Sequence, residues 1–144
     1  MSEPRSSPGG AVQDTARWSH ETTLTAEPAA ASRARAFVSR HLSEHRLGLL
    51  LDPVRLAASE LATGALMHAQ TQFTITLAGL DDIVLLTVRD TSPRSPAESE
   101  PAAFGIADRG SRIVSLVSLD WGVRVDASGV NTVWASFARQ PQRR

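Results

Sequence analysis

The sequence predicts an α/β two-layer sandwich of the α+β kind, with a mixed, mainly antiparallel sheet and helices packed on one face. Three observations predict it. The apolar period changes along the chain in the order strand, helix, helix, strand, strand, loop, helix, strand, strand. Only the Gly79 to Asp82 turn separates the fourth and fifth segments, as in an antiparallel pair. The first helical segment carries its apolar residues on one side, so it needs a single surface to cover.

The first 15 residues combine Pro, Gly, Ser and Arg with few large apolar groups, so they bury too little surface to offset chain entropy and read as a flexible tail. A single domain is expected over residues 16–139, followed by a short charged tail over 140–144. From Arg17 to Thr25, Trp18, His20, Thr22 and Leu24 share one alternation, which suits a strand. Pro28 then opens an amphipathic helix to about residue 45, with Ala34, Phe37, Val38 and Leu42 recurring at helical spacing and Arg33, Arg35 and Arg40 facing water. Asp52 followed by Pro53 marks a second helix start, the carboxylate capping orphan amides, and this helix runs to about Ala69.

Phe73, Ile75 and Leu77 alternate with Thr74 and Thr76 in a half-buried strand. The run from Ile83 to Val88 is apolar on both faces, as in a central strand, and ends at Arg89 and Asp90. Pro93, Pro96 and Pro101 deny backbone donors over residues 91–105, a loop long enough to suggest function. Ile113, Val114, Leu116 and Val117 indicate a third helix. Strands follow near Trp121 to Val125 and Val130 to Phe137, joined by a turn at Asp126 to Gly129.

The chain has 144 residues, 15 basic against 15 acidic, and every basic residue is Arg. A balanced field gives no reason to expect nucleic acid as a partner. No apolar run approaches the roughly 20 residues that cross a bilayer, and no apolar leader opens the sequence, so a cytoplasmic protein without a membrane partner is expected. With no cysteine, any metal must use oxygen or imidazole ligands, and no residue is assigned as a metal ligand.

SELATGALMHA on the second helix, RDTSPR after the central strands, DRGSRIV opening the third helix and the closing WGVR strand stand in a characteristic order. Over about residues 17–138 that order resembles the anti-sigma-factor serine/threonine kinases, of the histidine kinase-like ATPase superfamily. The resemblance implies a Bergerat-type ATPase fold that binds ATP with Mg²⁺.

In that family the second helix carries Glu-x-x-x-Asn, the glutamate serving as general base and the asparagine holding Mg²⁺. Glu60 matches the base, while Gly64 stands in the asparagine position, one turn along the same face. Glycine offers no oxygen to a hard cation. His68, another turn on, matches a histidine common in the subfamily, and also reads as a histidine favoured by a helix C-terminus. Glu60 reads equally as a solvated helix carboxylate.

The resemblance places Asp90 where the family's aspartate accepts the adenine amino group. An Asp-Thr-Ser-Pro stretch is also an ordinary turn. The family's Gly-x-Gly-Leu run, whose amides reach phosphate, corresponds to Asp108, Arg109, Gly110 and Ser111. Gly110 is retained, and Asp108 adds a carboxylate beside the expected phosphates, a repulsion of about 1–4 kcal/mol. Arg109 and Arg112 either grip phosphate or are exposed helix charges.

The function implied is an ATP-binding regulator that controls transcription by partner switching with a sigma factor or an anti-sigma antagonist, its kinase activity weakened or lost. A homodimer is plausible by the same resemblance. The alternative is a non-catalytic protein-interaction module of the same fold that does not bind nucleotide.

Overall fold

The computed structural model describes residues 16–68, 72–90, 108–125 and 130–139. Five strands and three α-helices follow in the expected order. They are β1 Trp18–Thr25, α1 Ala30–Glu44, a 3-10 turn Gly48–Leu50, α2 Leu51–His68, β2 Gln72–Gly79, β3 Ile83–Asp90, α3 Asp108–Val117, β4 Asp120–Val125 and β5 Asn131–Ala138. The expected tails and the turn at Asp126 to Gly129 lie outside the described residues.

Helix α1 buries Ala30, Ala34, Val38 and Leu42 along one stripe. It closes in a Schellman motif: Leu47 N–H donates to Leu42 O at 2.8 Å and Arg46 N–H to Ser43 O at 3.1 Å. Arg46 therefore takes a left-handed φ of 60°, a conformation usually filled by glycine. His45, the residue before this reversal, meets β1, its ring lying against those of Trp18 and His20.

Two expectations about the helices are corrected. Helix α2 begins at Leu51, continuing from the 3-10 turn, so Asp52 sits inside the first turn and is not the cap. There it still faces the positive end of the helix dipole. Arg33 and Arg40 are exposed as expected, but Arg35 is half-buried because its Nη1 donates to Ser59 Oγ on α2 at 3.0 Å.

The sheet order is β1-β2-β3-β5-β4, and every pairing among the described residues is antiparallel. The expected mixed sheet is thus not found. Strands β3 and β4 do run the same way, but β5 fills the slot between them and pairs with both. Alternation then sorts the side chains. Phe73, Ile75 and Leu77 on β2, Val84, Leu86 and Val88 on β3, and Val133, Ala135 and Phe137 on β5 share one cluster with Val38, Leu42, Val54, Leu61, Ala65 and Val114 of the helices. The helices form a single layer on that face, which makes the domain a two-layer α/β sandwich.

Two tryptophans lie over glycines. Trp18 packs on Gly79, its cross-strand partner, and Trp134 on the open face packs on Gly122 in the same way. Both glycines are close-approach positions, since an added Cβ would meet the indole at 3.0 Å or less.

Candidate functional site

Asp90 is the last residue of β3 and belongs to the same alternation as Val84, Leu86 and Val88, so its side chain faces the helical layer. It is only 2% exposed. An ordinary turn aspartate would be solvated, so this burial weighs against the turn reading. Across the strand pair, Arg89 opposes Thr132, and the next step outward sets Asp90 beside Asn131 at the start of β5. Asn131 is buried, and its Oδ1 has no hydrogen-bond partner among the described residues. A buried acceptor left in that state costs about 1–3 kcal/mol, and a bound donor would recover it. Nothing in the sequence singled out Asn131; only its pairing shows that it shares a face with Asp90.

Helix α2 covers this face. It packs against β3 and β5, with α3 along its side. Glu60 is half-buried, between the solvated and the lining reading, and Gly64 one turn on is buried. Four Cα steps, at most about 15 Å of chain, join His68 to Gln72 beside the Phe73–Asp90 pair. The last turns of α2 and the Asp90 end of the sheet are therefore held at one end of the molecule. The side chain of His68 lies outside the described residues.

Helix α3 begins at Asp108, where the sequence places it, so Asp108, Arg109, Gly110 and Ser111 form its first turn. Their side chains lie outside the described residues, as does the proline-rich stretch at 91–107. Arg112 is exposed, consistent with the solvated reading of that residue. The Glu60 and Asp90 elements thus share the helix side of the sheet.

The opposite face carries a different feature. A shallow cavity of about 130 Å³ is lined by Glu21, Thr74, Thr76, Thr87, Arg89 and Arg124 among others. It is small against the roughly 300–1,000 Å³ of ordinary ligand pockets, and the sheet separates it from Asp90.

Sequence reasoning also missed an imidazole cluster where α1 crosses β1. His20 Nε2 lies 2.9 Å from His45 Nε2, and His41 Nδ1 lies 2.8 Å from Glu44 Oε1. Burial, then the neighbouring His41 and His45, hold the His20 pKa below its ordinary value. The hydrogen bond from His41, then that from Arg40, holds Glu44 below the usual carboxylate range. The spacing of these residues carries no recognisable motif, because the two elements meet only in the fold.

No family model matches the chain, and no curated protein matches it. Among the described residues, no helix is long and apolar enough to cross a membrane.

Proposed function

We propose that the chain is an ATP-binding regulator of the anti-sigma-factor kinase type, built on a Bergerat-type ATPase fold, with phosphoryl transfer weakened or lost. It would act by partner switching with a sigma factor or an anti-sigma antagonist in the cytoplasm. The observation that carries the reading is the burial of Asp90 on the helix side of the sheet, next to the buried acceptor of Asn131. Two adjacent acceptors suit an exocyclic amino group, and adenine presents one where guanine presents a carbonyl. The antiparallel sheet with one helical layer and the placement of α2 over β3 agree with the fold.

In this reading Asp90 and Asn131 hold the adenine amino group, and the first amides of α3 face the phosphates. Glu60 is the base toward a serine hydroxyl. The residues do not fit a Mg²⁺ ion: Gly64 has no side-chain oxygen where the family holds the cation, so no step is routed through it. That absence favours the second reading, a binding module of the same fold without nucleotide chemistry.

Calorimetry with ATP, with and without MgCl₂, tests the proposal. Binding in the micromolar range is expected, with GTP silent. Asp90→Asn keeps the shape but turns donors toward the amino group, and should weaken binding by about 10- to 100-fold. Absence of heat with ATP, or equal affinity for ATP and GTP, would sink the nucleotide reading and leave the binding module.

A further inference from the structure

Three of the chain's four histidines meet at one corner of the domain. His20 comes from β1, His41 from the last turn of α1, and His45 from the Schellman reversal after it. The His20 and His41 rings stack at 3.8 Å, and Trp18 stacks on His45 at the same separation. Phe37 meets the His41 ring edge-on at 4.9 Å. One donor atom each from His20, His41 and Glu44 lies within 4.8 Å of the others.

We propose that His20, His41 and Glu44 form a binding site for a divalent transition ion of the Zn²⁺, Ni²⁺ or Cu²⁺ class, with His45 completing or supporting the set. The chemistry of the donors carries the class. Two imidazoles and a carboxylate, with no thiolate in the chain, suit these borderline ions and not the hard Mg²⁺, which wants oxygen throughout.

Geometry sets what must move. Donors around a zinc ion stand about 2.0–2.1 Å from it, so atoms as far apart as 4.8 Å must close by an ångström or so. Parallel stacked rings cannot aim their lone pairs at one ion, so His41 rotates out of the stack and exchanges its Glu44 hydrogen bond for the metal. Glu44 is exposed and swings at little cost. The backbones need not move, since Leu24 and Val38, Leu42 fix β1 and α1 in the core. His45 Nε2, 2.9 Å from His20 Nε2, either joins as a further ligand or accepts the His20 N–H, the outer-shell bond that metal-bound histidines usually make. The site would staple the edge strand β1 to α1, independently of any nucleotide at Asp90.

Titration of the full chain with ZnCl₂ by calorimetry, with MgCl₂ as control, tests this. One saturable Zn²⁺ per chain at about 10 µM or tighter is expected, with no response to Mg²⁺. His41→Phe keeps an aromatic ring against Phe37 and His20 but removes both nitrogens, and should weaken Zn²⁺ binding by about 10- to 100-fold. Glu44→Gln is an exposed change that cannot unfold the domain, and should weaken it in the same direction. Wild-type affinity poorer than about 100 µM, or unchanged affinity in both variants, would overturn the proposal.

Discussion

Gly79→Ala should destabilise the domain through a single side chain. A Cβ built at Gly79 falls inside the Trp18 indole, 2.5 Å from Nε1 and 2.6 Å from Cζ2. Comfortable contact between such atoms is about 3.5–4.0 Å, so the ring must retreat by about 1 Å. Overpacking of this kind costs about 1–3 kcal/mol. Retreat also breaks the Trp18–His45 stack at 3.8 Å, which adds about 0.5–1.5 kcal/mol. Together the loss is about 2–4 kcal/mol, or a Tm fall of about 6–16 °C for a domain of this size. Urea and thermal unfolding followed by circular dichroism would measure it. The mechanism makes a sharper demand in the Trp18→Ala background, where nothing remains to collide. There the same substitution should be neutral or stabilising by about 0.5 kcal/mol, because alanine orders more readily than glycine in a strand. An equal loss in both backgrounds would refute the reasoning, as would a Tm unchanged within about 1 °C in the single variant.

Acidification should weaken the fold in two separate windows. His20 has its folded pKa below the ordinary 6.5, so the unfolded chain binds more protons and stability falls as pH drops from that value. Glu44, also depressed, gives up its contribution only as pH falls below its ordinary 4.5. The urea midpoint should decline between pH of about 7.5 and about 5.5, and His20→Gln should flatten that decline; a slope unaltered by the variant would exclude His20 as its source. On the proposed nucleotide reading, the double change Gly64→Asn with Asp108→Gly would supply a hard-cation ligand and remove a carboxylate beside the expected phosphates. It should strengthen Mg·ATP binding about 10-fold or more, and calorimetry showing no gain would count against the account of why transfer is weakened.

Most of the element order was legible because each segment advertises its own period. The alternation from Trp18 to Leu24 and the stripe from Ala34 to Leu42 are local signals, and β1 and α1 stand where those signals fall. Strand order was not legible, because no local pattern says that β5 enters between β3 and β4. The cap at Asp52 was misplaced for a related reason: the Gly48–Leu50 turn buries Leu50 and starts the helical geometry earlier than the Asp-Pro signal. Arg35 was read as solvated since Ser59, its partner, lies on another helix. At the candidate site, Asp90 stood out through the family resemblance, which sets an aspartate just after this strand; the structure makes it the last residue of β3. Its neighbour Asn131 lies beyond 40 intervening residues, and pairing alone brings the two together. His20 and His45 are 25 residues apart, and no spacing rule anticipates a β1–α1 corner.

The position of β5 has a consequence for how the chain matures. Residues 131–137 are buried without exception, and among the described residues Asn131 to Ser136 are the ones that pair with β4 in the sheet. Synthesis delivers them after β3 and β4, so until they emerge the edge of β3 is bare and β4 has nowhere to pair. During that interval the hairpin of β2 and β3 exposes an apolar strand edge of the kind that recruits other chains. A nascent chain arrested before Asn131 is therefore a substrate for chaperones rather than a smaller version of the domain.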